Sequence, residues 1–209
     1  MSARNKLNAF HPSSLIPHPL TCRVFCAVPL TEEVRESAAR HMESLRASLP
    51  YVRASWERPE KMHITLKFLG EIEESRVEAL SRAAERAAHE AESFTLSISG
   101  AGAFPARGNP RVLWLGIKDE TGGLYGLQRA LETETEREGF RREQRPFHPH
   151  LTIARLRQPE GAREVATLHQ DTGFETLSCP VSELLVIRSE LGPKGSRYTE
   201  ISKHKLSAR

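Results

Sequence analysis

The sequence predicts an α+β fold of two lobes related by approximate internal symmetry, and three observations carry that expectation. Strand-like and helix-like patterns follow one another as strand, helix, strand, helix, strand, then strand, helix, strand, short helix, strands. A tetrad of histidine, aliphatic, threonine, aliphatic occurs at His63-Ile64-Thr65-Leu66 and again at His150-Leu151-Thr152-Ile153, so each half of the chain owns one copy. The copies lie 87 residues apart, the spacing of a repeated unit. Residues two apart in a strand share a face, so each copy presents its histidine and threonine together and turns its aliphatic residues to the core. Composition alone predicts about 0.07 such tetrads, so two are a signal where one would mean little. The two would face each other across a cleft.

Taken in order, residues 1–20 hold Pro12, Pro17 and Pro19 without a periodic apolar pattern and read as a tail or loosely docked arm before a domain over 21–205. Arg23 to Val28 is a short apolar run carrying Phe25 and reads as a buried strand before Pro29. Thr31 caps the next helix, with Glu32 and Glu33 in the first turn where the macrodipole favours acids. Val34, Ala38, Met42, Leu45 and Leu49 mark its buried face, and Pro50 stops it. Tyr51 to Pro59 is a connection containing Trp56, and Lys61 to Leu69 is the strand of the first tetrad, ended by Gly70. A second amphipathic helix spans about Glu73 to Glu92, with Val77, Leu80, Ala84, Ala87 and Ala91 as a stripe small enough for close packing.

Phe94 to Ser99 alternates apolar and polar, as a strand with one covered face does. Gly100 to Pro110 reads as a loop with Phe104 and Arg107, and Arg111 to Ile117 as another strand. Gly122 and Gly123 introduce a third helix to about Glu138, with Gly139 as its stop. Arg141, Arg142 and Arg145 crowd the approach to the second tetrad and bring positive charge there. After Arg155 come a short helix over about Glu160 to Gln170, a strand at Phe174 to Ser178, and a closing hairpin of Leu184 to Ile187 with Tyr198 to Ser202 around Gly192 to Gly195.

Thirty Lys and Arg against 27 Asp and Glu leave a charge of +3, too weak to imply nucleic acid by itself, so any phosphate-binding field must be local. Cys22, Cys26 and Cys179 form an odd set without CxxC spacing, which argues for free thiols in a reducing compartment and a cytoplasmic protein. No stretch approaches the ~18 apolar residues of a membrane helix, and the prolines near the start break up any signal-peptide core.

Two imidazoles and two hydroxyls without a carboxylate cluster lack the oxygen ligands of magnesium or calcium but suit acid and base work near neutrality. His148 and His150 form a His-x-His pair, yet no third zinc ligand accompanies them at nearby spacing, so no metal is expected. One neutral histidine would deprotonate water while a protonated one hands a proton to the leaving oxygen, and threonine hydroxyls would stabilise the non-bridging oxygens of a phosphate. A phosphodiester with an accessible phosphorus is the substrate this chemistry fits.

At these residues the sequence resembles the 2H phosphoesterase superfamily, named for two His-x-Thr/Ser-hydrophobic motifs, and within it the RNA 2′,3′-cyclic phosphodiesterases, also called 2′-5′ RNA ligases. The likeness extends over about residues 22–203: Arg23 to Val28, Trp56 to Gly70, Gly102 to Gly116, Phe147 to Arg155 and Leu184 to Tyr198 each resemble family segments. It implies two lobes, each with an antiparallel sheet and flanking helices, around a central cleft, with no cofactor or obligatory metal. It also implies His63 as proton donor to the departing 3′ oxygen, His150 as proton acceptor from water, and Thr65 and Thr152 on the phosphate. Arg155, five residues after the second histidine, would join them, and Phe25 would stack on a base. Strand parity places Arg155 opposite His150, so that role requires a bulge or the strand's end.

The expected activity is hydrolysis of RNA 2′,3′-cyclic phosphate ends, or of small cyclic nucleotides, to a 2′-phosphomonoester, with 2′-5′ ligation as a further capacity and no protein partner required. The alternatives are a non-catalytic RNA- or nucleotide-binding module, and an esterase of the same superfamily acting on another cyclic phosphate or a 2′-5′ oligonucleotide. The loops at Gly100 to Pro110 and Phe140 to Phe147 would choose the substrate.

Overall fold

The computed structural model describes residues 20–192 and 195–208, so the expected tail lies, apart from Leu20, outside the described residues. The chain forms Thr21–Pro29 (β1), Glu32–Ser48 (α1), Ala54–Trp56 (β2), His63–Glu73 (β3), Val77–His89 (α2), Phe94–Phe104 (β4) and Val112–Lys118 (β5). It continues as Gly123–Arg137 (α3), His150–Leu156 (β6), Ala162–Thr172 (α4), Leu177–Val181 (β7), Glu183–Gly192 (β8) and Gly195–Lys205 (β9). Two sheets result, with strand orders β3-β1-β8-β9 and β2-β6-β5-β4-β7, and every pairing within them is antiparallel.

The internal symmetry is visible in those orders. β3, β1 and β8 occupy the places that β6, β5 and β4 occupy in the other sheet. The 87-residue offset of the tetrads also holds for their neighbours: Thr65 pairs with Ala27, and Thr152 with Trp114. The lobes are not the two halves of the chain, however. β4, from the first half, pairs with β5, and β8 returns from the second half to pair with β1. Each half thus covers the open edge of the other's central strand, which would otherwise expose unpaired backbone groups.

Local chemistry explains most elements. Thr31 Oγ1 accepts the Val34 N–H at 3.3 Å and starts α1, whose Val34, Ala38, Met42 and Leu45 are buried. Leu80, Ala83, Ala84, Ala87 and Ala88 bury the small-residue face of α2, which packs on α3 and across β8 and β9. At the end of α3, Gly139 has φ 77°, its N–H reaches the Glu136 carbonyl, and the Phe140 N–H reaches that of Thr135. This glycine-dependent stop turns the chain towards the second tetrad. α1 and α4 pack on each other and on the β4–β7 side of the second sheet.

Several boundaries differ from those read in the sequence. Ala54 to Trp56, expected as connection, pairs with β6 as β2; three residues are too few to show an alternation. Gly70 does not end β3 but lies at a register shift, with φ 71°, and the strand runs on to Glu73 opposite Thr21. That pairing keeps Glu71–Glu73 extended, so α2 starts at Val77 rather than Glu73. β4 likewise passes Ser99 through a register shift between Ile98 and Ala101, and Gly100 to Phe104 is strand where a loop was expected. The helix expected from Glu160 and the strand expected from Phe174 begin at Ala162 and Leu177.

Candidate active site

Both tetrads end in the same irregularity. In β3 the partners of His63, Ile64 and Thr65 are Pro29, Val28 and Ala27, but Cys26 then faces Lys67, which leaves Leu66 as the extra residue. In β6 His150, Leu151 and Thr152 face Gly116, Leu115 and Trp114, but Leu113 then faces Ala154, which leaves Ile153 extra. A bulge shifts the side-chain alternation by one. The residue five after each histidine therefore returns to the histidine's face: Phe68 in β3 and Arg155 in β6. The bulge answers the parity conflict at Arg155, while Phe68, its counterpart, is a position that sequence reasoning passed over.

A cleft of ≈ 1180 Å³ opens between the sheets, and His63, Thr65, His150, Thr152, Arg155 and Phe68 all line it. Each catalytic candidate is fixed by a bond that repeats across the symmetry. His63 Nδ1–H donates to the Lys61 carbonyl at 2.7 Å, and His150 Nδ1–H donates to the His148 carbonyl at 2.8 Å. A carbonyl only accepts, so each Nδ1 carries the hydrogen and each Nε2 is the nitrogen left to exchange protons.

Aromatic rings hold the imidazoles from behind. Phe25 stacks on His63 with centroids 4.7 Å apart, and Tyr198 meets the same ring edge-on at 5.5 Å. Phe104 meets His150 edge-on at 5.3 Å and leans on Trp114 at 5.1 Å. Phe25 is only 2% exposed and packed against His63, so it is the wall behind the histidine and has almost no surface to offer a base. The exposed ring on that side of the cleft is Phe68, at 60%. Tyr198, Phe104 and Trp114 sit far from the tetrads in sequence, and nothing local to them signalled this role.

Burial lowers the pKa of His63, and the bond to the Lys61 carbonyl opposes that lowering only in part. Arg155 lies 3.8 Å from Glu57, a cleft carboxylate absent from the sequence-based reading; burial raises the Glu57 pKa, against the pull of Arg155 and Lys61. Of Arg141, Arg142 and Arg145, expected to bring positive charge here, the last two are answered locally, while Arg141 has no ion pair among the described residues. Arg142 pairs with Glu136 at 3.0 Å, and Arg145 forms a fork on Glu143, whose carboxyl it holds down at about 2.

A buried pair ties the two motifs together. Lys67, four residues after His63, reaches Glu132 on α3 and donates to the Arg141 carbonyl at 2.9 Å, while Glu132 accepts the Glu143 N–H at 3.2 Å. The segment leading to His148 and His150 is thereby fastened to the strand of His63. Among the described residues no group of three His, Cys, Asp or Glu side chains converges as a metal site, and no helix is long and apolar enough to cross a membrane. His11 and His18 lie outside the described residues.

Residues 34–193 match the model of the 2′-5′ RNA ligase superfamily. The RNA 2′,3′-cyclic phosphodiesterase of Methanothermobacter thermautotrophicus is 36% identical over 186 residues, which cover 88% of this chain and 98% of that protein. The Escherichia coli protein of the same name is 32% identical over 88% of this chain and 97% of its own. The crystal structure of TT0787 from Thermus thermophilus superposes with a TM-score of 0.74 at 30% identity, covering 88% of this chain and 97% of that one. That of Escherichia coli LigT complexed with 3′-AMP gives 0.69 at 28% identity, covering 90% and 99%. Fold, paired motifs and relatives agree: the chain belongs to the 2′-5′ RNA ligase superfamily.

Proposed function

We propose that the protein is an RNA 2′,3′-cyclic phosphodiesterase that works by two-histidine acid and base catalysis without a metal ion. The observation that carries this reading is the repeated histidine geometry, with two Nε2 atoms on opposite sheets lining one cleft and each ring locked through Nδ1. A cyclic phosphate between them has its phosphorus open to in-line attack. Neutral His150 takes a proton from water, the water oxygen bonds to phosphorus, the bond to the 3′ oxygen breaks, and protonated His63 supplies that oxygen with a proton. The product is a 2′-phosphomonoester. Thr65 and Thr152 hydroxyls donate to the non-bridging oxygens, and Arg155 adds a cation where charge develops. With the 5′-hydroxyl of a second RNA in place of water, the same steps form a 2′-5′ linkage.

His63 must be charged to act as the acid, and burial opposes that charge. A bound phosphodiester is an anion beside the ring and favours the imidazolium, so substrate brings its own acid into the working state. Phe68 is the ring placed to meet a base, in preference to Phe25. RNA ends and small cyclic nucleotides are the substrates this cleft fits, and the three buried free cysteines support a reducing, cytoplasmic setting.

The test is hydrolysis of a 2′,3′-cyclic nucleotide by His63→Ala and His150→Ala. Each variant should lose about 10²- to 10⁴-fold in rate, with thermal unfolding and circular dichroism showing the fold retained. Near-wild-type rates in both folded variants would overturn the reading.

A further inference from the structure

A second hollow, of ≈ 460 Å³, opens beside the cleft at the β2 edge, lined by Arg46, Val52, Arg53, Trp56, Arg157 and Gln158 among others, with no Asp or Glu on its walls. Trp56 and Arg157 line both spaces, so the hollow continues the cleft. Its three arginines are exposed and stand on neighbouring parts of the fold. Arg46 is in the last turn of α1, where the helix dipole favours a cation. The Arg157 N–H donates to the Arg53 carbonyl at 2.9 Å, and Arg157 Nε donates to Ser55 Oγ at 2.8 Å. Some arginines elsewhere are matched by acids, as Arg86 is by Glu134 and Glu138, and Arg142 by Glu136. Arg46, Arg53 and Arg157 have no carboxylate partner among the described residues.

We infer that this hollow receives the RNA strand leading into the cyclic end, its arginines holding upstream phosphates beside Trp56 as a surface for a base. The inference rests on the phosphodiesterase reading above and adds to it a preference for polynucleotide over mononucleotide. Guanidinium groups match phosphate oxygens in a fork, and an unpaired set of three supplies the local field that the overall charge of +3 conceals. The path is continuous: Arg157 follows Arg155 by two residues, about 6–7 Å along an extended chain. Aromatic rings beside such a track accept any base and give tolerance of sequence.

The experiment compares 2′,3′-cyclic AMP with a tetranucleotide ending in the same cyclic adenylate, using wild type and the double variant Arg46→Gln/Arg53→Gln. Wild type should show kcat/KM about tenfold or more higher on the tetranucleotide at low salt. The variant should lose most of that advantage while its rate on cyclic AMP stays unchanged. Each phosphate contact contributes about −0.7 to the slope of log affinity against log salt for single strands, so the variant's slope should flatten by about 1.4 on the tetranucleotide. Equal wild-type values for the two substrates, or an advantage that survives in the variant, would overturn the inference. Anisotropy of a labelled tetranucleotide ending in a 2′-phosphate decides it independently of turnover: tenfold or greater weakening in the variant supports the track, and unchanged affinity overturns it. A wild type that hydrolyses neither substrate overturns the phosphodiesterase reading, and the binding arm still judges the track.

Discussion

Lys67→Met removes a cation whose side chain is 2% exposed from a carboxylate whose side chain is 5% exposed. Lys67 Nζ stands 2.5 Å from Glu132 Oε2 and also donates to the Arg141 carbonyl. Methionine fills the volume but leaves the Glu132 carboxylate, among the described residues, with only the Glu143 N–H at 3.2 Å and Gln128 Nε2 at 3.4 Å. Removing one partner of a buried pair costs about 3–5 kcal/mol, because the other charge stays out of water without compensation. An exposed pair such as Arg82–Glu78, at 51% and 85%, contributes only about 0–1 kcal/mol, so the same experiment there should register little. Removing both charges in Lys67→Met/Glu132→Leu takes the desolvation cost away with the attraction and should recover most of the loss. Urea unfolding followed by circular dichroism, extrapolated linearly, measures all three. A single variant within about 1 kcal/mol of wild type, or a double variant as unstable as the single, would show that the buried pair does not act in this way. The recovered double variant still lacks both anchors of residues 141–143, so its kcat should fall although its fold is sound.

Two further outcomes follow from the walls of the cleft. Burial holds His63 below the ordinary imidazole value of about 6.5, so the free enzyme would lose the proposed acid as pH rises through that lowered pKa. The descending limb of kcat/KM should therefore centre below about pH 6.5, with the limb of kcat at higher pH because the bound anion favours the imidazolium; coincident limbs would contradict this. Gly102→Ala would drive a Cβ into the Trp114 ring, which leans on Phe104 and through it on His150. Overpacking of that kind should cost about 1–3 kcal/mol and lower kcat, and wild-type values for both by thermal unfolding and turnover would contradict the contact chain.

What the sequence disclosed follows the range of the physics. The His63/Thr65 and His150/Thr152 pairs were legible because a strand repeats every two residues, and α1 because its cap, acidic first turn and apolar face all agree. Arg155 sat on the boundary: strict alternation placed it on the wrong face, and the bulge at Ile153 reverses that. The same bulge at Leu66 put Phe68 in the cleft, and only comparison of the two motif flanks could have shown it. Long-range pairing was out of reach. Nothing in β8 states that it lies beside β1, and so nothing local announced that the halves exchange strands or that Tyr198 reaches His63. The base-stacking role of Phe25 is implied only by the family resemblance, whereas its burial comes from β1 lying between β3 and β8.

Metal-independent hydrolysis is measured by incubating the protein, in the presence of EDTA, with a short RNA ending in a 2′,3′-cyclic phosphate and locating the product phosphate by phosphorus NMR. A 2′-phosphate is expected to form without added metal. A 3′-phosphate would contradict the assignment of His63 to the 3′ leaving oxygen, and the absence of any product would contradict the phosphodiesterase reading itself.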